Sequence, residues 1–395
     1  VFRFPIIFTL NKTQLKSKKV KNKERNRRKN RLKYVKIIGY FFVGLLLATS
    51  VYMMHPKFGK RPSGERLQRI KESVNYKEGK FQNQNYTPQL TQSITTALYD
   101  YLFGKSKESK PKGILPAKTV NWDVLKQNEP QLIWFGHSSY LLQIEGQVFL
   151  VDPVLSGSAS PIPGGTKSFK GTDIVHAADL PAIDVLFITH DHYDHLDYET
   201  LKAIKDKVKF VICGLGVGEH LEYWGYSPQQ IIEKDWWEEV QLDHGFKVTL
   251  TPARHFSGRS IFTANTLWTS FVLESTHYKI YLGGDSGYDT HFKEIGAKFG
   301  PFDLAILENG QYDHSWKYIH MMPEEVVQAA KDLQARVLFP VHSAKFVLAN
   351  HAWNEPLERI SQISLKENMP LITPVIGESV NLEVMDTQPT YWWRK

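Results

Sequence analysis

The sequence predicts an α/β protein of the αββα sandwich class, preceded by a single membrane-crossing helix. Three observations predict it. Apolar runs at 131–135, 139–144 and 147–151 are separated by short turns, the pattern of antiparallel hairpins. From residue 183 onward strand-like and helix-like stretches alternate, which builds a sheet covered by helices. Ahead of both, residues 37–54 form an uncharged apolar run of the length that spans a bilayer core. At 395 residues, 42% hydrophobic and 13% aromatic, the chain can bury a large core and is not a disordered protein.

The net charge of +8 divides unevenly. Residues 1–36, the basic N-terminal arm, hold 14 of the 49 Lys and Arg and a single acid, Glu24, a net +13; the remaining 35 bases and 40 acids leave the rest at −5. The basic balance therefore belongs to the arm, and the globular part is mildly acidic. The run at 37–54 follows directly, with Tyr34, Tyr40 and Tyr52 toward its ends, and reads as a transmembrane helix or a signal segment. The positive-inside rule keeps the arm cytoplasmic and places everything after Met54 on the non-cytoplasmic side. Ala48-Thr49-Ser50 has the small-x-small form of a cleavage site, so export after signal cleavage is the alternative. Dense Lys and Arg without interleaved aromatics favours anionic lipid headgroups as the arm's partner over nucleic acid.

Residues 55–110, rich in Lys, Asn, Gln and Ser, read as a linker or an N-terminal extension packed on the domain, with a short helical stretch at 90–103. The sandwich domain is placed at 111–395. After the three hairpin strands come strands at 185–188 and 209–213, a helix at 216–224, and strands at 230–232, 247–252, 270–274, 279–282 and 304–307. Helices are expected at 197–204 and at 323–333, the latter with Pro323 and acidic residues in its first turn. The lone Cys213 excludes intramolecular disulfides and cysteine-based zinc sites.

The chain is organised around Thr189-His190-Asp191-His192-Tyr193-Asp194-His195, delivered at the end of the apolar run Ile183 to Ile188. Open sheets keep their chemistry at such strand ends. His190, His192, Asp194 and His195 crowded together would repel one another as cations unless something accepts their lone pairs, and a divalent metal is the acceptor that does so. Imidazole with carboxylate suits zinc, and the absence of thiolates argues against a closed structural site.

This H-x-H-x-D-H pattern after a strand resembles the signature of the metallo-β-lactamase fold hydrolases. The family's later ligands, His, Asp and His, have counterparts in order: His255 in Pro252-Ala253-Arg254-His255, Asp285 in Gly283-Gly284-Asp285, and His342 in Phe339-Pro340-Val341-His342. Trp134-Phe135-Gly136-His137-Ser138-Ser139, Asp152-Pro153-Val154, Trp236-Trp237-Glu238-Glu239-Val240, Leu267-Trp268 and His320-Met321-Met322-Pro323-Glu324-Glu325 resemble the branch containing N-acyl-phosphatidylethanolamine-hydrolysing phospholipase D and L-ascorbate-6-phosphate lactonase. The resemblance spans about residues 111–380 and implies two zinc ions per chain. His190, His192 and His255 would hold one, Asp194, His195 and His342 the second, with Asp285 bridging. A hydroxide shared by such a pair is a nucleophile at neutral pH, and Asp194 can orient it as well as ligate.

Four further positions carry expectations. Asp152 would turn a ligand histidine through its other ring nitrogen. His320 matches the family position near the leaving group, where it would donate a proton or bind a phosphate. His137 either contacts the site or makes a structural hydrogen bond, and His351, on the loop after the last ligand, is a weaker candidate for substrate contact. Ser343-Ala344-Lys345-Phe346 and Glu308-Asn309-Gly310-Gln311-Tyr312 depart from the phospholipase pattern at positions expected to line the substrate side.

The resemblance thus implies a zinc phosphodiesterase of phospholipase D type, with membrane lipid as surroundings and possible substrate, and a lactonase as the alternative. Diiron reductases of this fold carry Glu at the position of His192, and nucleases of the superfamily would need an inserted domain and a basic cleft. A catalytically silent metal-binding protein would require that the seven ligands fail to assemble.

Overall fold

The computed structural model describes residues 12–127, 129–259, 264–385 and 387–394, and divides into two units, Val1–His55 and Pro56–Lys395. In the first, helix α1 (Lys12–Tyr52) runs through the basic arm and the apolar run without a break. The apolar run expected to form the membrane segment is thus the C-terminal part of a longer helix. Lys and Arg, which dominate the stretch from Lys12 to Lys36, are strong helix formers, and no proline interrupts it before Tyr52. The large apolar side chains from Ile37 to Val51 are exposed, and α1 is long and apolar enough, by length and composition, to cross a membrane.

In the second unit, α2 (Gly64–Glu72), the small hairpin of β1 (Tyr76–Lys77) and β2 (Lys80–Phe81), and α3 (Ile94–Phe103) precede the sandwich. They pack on it rather than forming a free stalk. Arg66 on α2 binds Glu219, Glu222 and Glu233, and Ile70 and Phe81 join Trp236, Leu267 and Trp268 in one apolar cluster.

Two sheets follow in chain order. The first contains β3 (Gln131–Trp134), β4 (Tyr140–Ile144), β5 (Gln147–Val151) and β6 (Ile183–Ile188). After α4 (Tyr198–Ile204) come β7 (Val208–Gly214), α5 (Gly218–Tyr223) and β8 (Ile231–Lys234). The second holds β9 (Glu239–Gln241), β10 (Lys247–Thr251), β11 (Ser270–Glu274) and β12 (Lys279–Leu282), then α6 (His291–Phe299), β13 (Leu304–Glu308), α7 (Pro323–Asp332) and β14 (Leu338–Val341). Helix α8 (Glu355–Lys366) and β15 (Ser379–Asn381) close the chain, β15 returning to the first sheet beside β3. Both sheets begin antiparallel and become parallel, at β5–β6 and at β12–β13, where the connections grow long enough to cross over.

Strand periodicity sorts the side chains into layers. Leu132, Trp134, Leu142, Phe149 and Phe187 of the first sheet meet Leu250, Phe271, Leu282, Ile306 and Phe339 of the second between the sheets. Their neighbours Ile133, Leu141, Leu150 and Leu186 face outward onto Leu201 of α4 and Leu221 of α5. Val272, Tyr281, Ala305 and Leu338 face Phe292, Val326 and Ile360 of α6, α7 and α8. That is an αββα sandwich. Six chain segments end their strands at one edge of it: the loops after β3, β5, β6, β10, β12 and β14 carry His137, Asp152, His190 to His195, His255, Asp285 and His342.

Candidate metal centre

Short loops leaving buried strands must turn sharply, and three of the residues named above take the turn themselves. His137, Asp152 and His342 have positive φ angles of 54°, 40° and 66°, a strained region for side chains other than glycine that is tolerated where the surroundings fix it. The surroundings do so here. The backbones of His137 and His342 are cross-linked, His342 N–H to His137 O and His137 N–H to Ser343 O, each at 3.0 Å. Close approach also requires Gly310, where an added Cβ would lie 2.2 Å from the carbonyl oxygen of His342.

The loops bring all seven expected ligands together. His190, His192 and His255 offer ring nitrogens that converge: His190 Nε2 lies 2.9 Å from His192 Nδ1, which lies 3.2 Å from His255 Nε2. Asp194, His195 and His342 form a second group together with His137. Asp285 stands between the two. Its Oδ2 is 3.8 Å from both His190 Nε2 and His255 Nε2 and 3.1 Å from His195 Nε2, while its Oδ1 is 3.2 Å from His342 Nδ1.

Hydrogen bonds behind the rings decide which nitrogens carry lone pairs. His255 donates from Nδ1 to the Ile319 carbonyl at 2.9 Å, leaving Nε2 bare toward the cluster. Thr189 donates its hydroxyl proton to Asp152 at 2.6 Å, so its oxygen accepts from His190 Nδ1 at 2.9 Å and His190 Nε2 is bare as well. His192 has one proton at most for Nδ1, which cannot satisfy both. His195 donates from Nδ1 to Asp152 Oδ2 at 2.7 Å, and its buried Nε2 has no hydrogen-bond partner. Unmet lone pairs converging in a buried pocket are the signature of a cation site, so the residues fit bound divalent metal.

Electrostatics agree with the geometry. Burial pushes His190, His255 and His342 well below the ordinary imidazole range and lowers His192, which keeps these rings neutral. At His195 burial works in the same direction, but Asp285, Asp194 and Asp152 outweigh it and raise the ring well above its ordinary value. That spot holds an excess of carboxylate and calls for positive charge.

The remaining expected residues separate. Asp152 is buried and grips His195 together with the Thr189 amide and hydroxyl. His137 donates from Nε2 to Asp194 Oδ2 at 2.9 Å, so it contacts the cluster and fixes the carboxylate. His320 lines the cavity above it. His351 is corrected: its Nδ1 donates to the Ala352 carbonyl and its Nε2 accepts the Gln311 amide, leaving no ring nitrogen for a substrate. Lys345 likewise turns inward, donating to the carbonyls of Phe135 and Val154, whereas Gln311 does line the cavity.

Two residues beside the cluster were given no role by the sequence reading. Glu308, at the end of β13, is buried, accepts the Met321 amide at 2.6 Å and lies 3.2 Å from His320 Nδ1; burial pushes its carboxyl up to about 7. Asp191 sits inside the motif but faces away from the cluster, bonded to His220, the Gly258 amide and, through its own carbonyl, Arg259. Burial opposes its ionisation, yet His220 and Arg259 hold it at about 2, as a clamp on the motif loop. Nothing in its spacing separates it from the ligands on either side.

Over the cluster opens a cavity of about 440 Å³, floored by His192, Asp194, His255, Asp285 and His342 and walled by Leu90, Tyr101, Phe256, Trp316, Ile319 and Leu348.

A family profile described as Beta-lactamase superfamily domain matches residues 147–343, which carry all seven expected ligands. N-acyl-phosphatidylethanolamine-hydrolyzing phospholipase D 1 of Caenorhabditis elegans is 30% identical over 245 residues, covering 58% of this chain and 68% of that protein. The chain belongs to the metallo-β-lactamase superfamily. The uncharacterized protein Rv0906 of Mycobacterium tuberculosis is 37% identical over 332 residues, 82% of this chain and 88% of that one. The crystal structure of a possible metal-dependent hydrolase from Veillonella parvula shares the fold, with a TM-score of 0.50 at 17% identity, over 65% of this chain and 100% of that one. Membership and site together make the chain a metal-dependent hydrolase of this superfamily.

Proposed function

We propose that this hydrolase is a two-zinc phosphodiesterase that cleaves the headgroup linkage of a membrane phospholipid of the N-acylated phosphatidylethanolamine type. The observation that carries the reading is the cavity: a floor of imidazole and carboxylate suited to a phosphodiester beneath walls of Leu, Ile, Phe and Trp suited to acyl chain. The named activity of the Caenorhabditis elegans relative supports it.

His190, His192 and His255 would hold one ion, Asp194, His195 and His342 the other, and Asp285 both. Two ions so held supply an acidified water and positive charge opposite the attacked phosphorus. The chain's own residues do the rest. Asp152 and the Ile319 carbonyl fix His195 and His255 in the tautomers that present Nε2. His137 holds Asp194 in place to orient the attacking water. At His320 burial lowers the ring's proton affinity, but Glu308 outweighs it and raises the ring above its ordinary value. Because Glu308 takes Nδ1, a protonated Nε2 remains for the leaving group or a phosphate oxygen.

On this reading α1 remains as an anchor, its basic arm cytoplasmic and the hydrolase on the other side, so the site works at a high local concentration of lipid. The test is zinc-loaded full-length protein assayed on N-acyl-phosphatidylethanolamine in mixed micelles, beside bis-p-nitrophenyl phosphate and a lactone panel, with Asp285→Asn as blank. Phosphatidate release that disappears in the blank supports the proposal. Lactone turnover with the lipid intact would replace it with the lactonase reading.

A further inference from the structure

Helix α3 is assembled in a way its sequence does not explain for a helix in water. Of Ile94-Thr95-Thr96-Ala97-Leu98-Tyr99-Asp100-Tyr101-Leu102-Phe103, only Ala97 is buried, while Ile94 is 74% and Phe103 71% exposed and Leu98, Tyr99 and Leu102 are more than half exposed. Ten residues are too few to hold a helix by propensity, and an apolar face normally holds it by being covered. Here the ends do the holding. The Thr91 amide donates to the Ser315 carbonyl at 2.7 Å before the helix; after it, the Ser106 amide donates to the Asn350 carbonyl at 2.8 Å and Glu108 O accepts the Trp353 amide at 3.0 Å. Tethers at both ends present the apolar face outward and fix it there.

The position and the flanking charge say what covers it. Leu90 and Tyr101 belong to the same segment and line the wall of the cavity over the metal centre, so the face stands at the cavity mouth. The turn that follows, Gly104-Lys105-Ser106-Lys107-Glu108-Ser109-Lys110-Pro111-Lys112, carries four lysines against one acid. Lys105 Nζ lies 4.2 Å from the centre of the Tyr101 ring. An exposed row of Leu, Ile, Tyr and Phe edged by lysines matches the boundary between acyl chains and anionic headgroups, which needs no shape complementarity. Helix α1 is, by length and composition, also suited to cross a bilayer.

We propose that α3 and the lysines after it form an interfacial docking element that lies in the surface of an anionic bilayer and sets the cavity mouth against the lipid. The inference does not depend on the reaction catalysed. It is tested on the full chain reconstituted in phosphatidylcholine vesicles with and without phosphatidylglycerol, carrying an environment-sensitive fluorophore at Leu102→Cys. A label at Leu365→Cys, an apolar position on α8 that is more exposed still, is the control; the native Cys213 is buried and stays unlabelled.

The expected result is blue-shifted emission from position 102, quenched several-fold by lipids spin-labelled near the headgroup, with water-like emission from 365. Replacing Lys105, Lys107, Lys110 and Lys112 by Glu should reduce the quenching several-fold in the anionic vesicles. Water-like emission at 102 overturns the proposal. So does a blue shift that spin-labelled lipid fails to quench, which would mean a protein surface covers the helix. Equal quenching in neutral and anionic vesicles would overturn the role given to the lysines.

Discussion

Replacing Asp152 by Asn keeps the shape of the side chain and exchanges one acceptor oxygen for a donor. In the native protein Oδ2 accepts from His195 Nδ1 at 2.7 Å and from the Thr189 hydroxyl at 2.6 Å, while Oδ1 accepts the Thr189 amide at 2.9 Å. Asn can retain the amide contact through its oxygen. Its NH₂ then faces His195 Nδ1, which must give up its proton and accept. The proton moves to Nε2, the atom 3.1 Å from Asp285 Oδ2, and the lone pair offered to a metal is lost. Loss of such an orienting carboxylate costs about 10- to 100-fold in metal affinity, or about 1.4–2.8 kcal/mol, because the ring must be returned to the other tautomer each time it ligates. Three buried donors also lose their charged acceptor, so the metal-free Asp152→Asn protein should be less stable by about 1–3 kcal/mol. Zinc affinity by chelator competition, with urea unfolding of the metal-free proteins, measures both effects. Unchanged zinc affinity alongside a normal fold would refute the assignment of tautomers and with it the ligand role of His195.

Three further outcomes follow from the same structure. Gly310→Ala places a methyl group 2.2 Å from the His342 carbonyl oxygen, backbone that cannot rotate away, and should lower stability by about 1–3 kcal/mol and reduce activity; thermal unfolding and turnover check it. Burial lowers the Lys345 ammonium from its ordinary 10.5 to about 8. The unfolded chain therefore binds more protons between those values, and this group's contribution makes the fold gain stability as pH rises from 8 toward 10.5. Urea unfolding at pH 8 and pH 10 should show the wild type gaining about 2 kcal/mol relative to Lys345→Met, at roughly 1.4 kcal/mol per pH unit. Stripping metal with a chelator should abolish activity and lower the melting temperature; at zinc 100 times above its dissociation constant, one site alone contributes about 2.7 kcal/mol, read by calorimetry with and without zinc.

What was legible in the sequence is what lies close along the chain. The cluster from His190 to His195 could be read because an apolar strand delivers it, and Asp152 because it ends the strand that pairs beside β6. The alternation of strand-like and helix-like stretches from residue 183 onward foretold a sheet covered by helices. The helix α8 and the strands β9 and β15 were not foreseen: β9 and β15 are three-residue edge strands whose pairing comes from neighbours, and α8 carries Ser361 and Ser364 among its buried residues, which blurs its periodicity. Glu308 was noticed only as a departure from the phospholipase pattern. Its contact with His320 is made by the loop before α7 folding back onto β13, a return that no local pattern announces. The same holds for Asn83, eleven residues ahead of Ile94 at the start of α3 and part of no motif, whose side chain clasps the backbone of His255 on both sides and accepts from Trp268. The extension's role in shaping the site could be seen only in three dimensions.

The claim on which the rest stands is that this constellation binds two metal ions, and native mass spectrometry of the zinc-loaded full-length protein tests it directly. The account predicts two zinc ions per chain, falling to one or none in Asp285→Asn. A wild-type protein that takes up no zinc, or one ion whose binding is indifferent to Asp285, would contradict it.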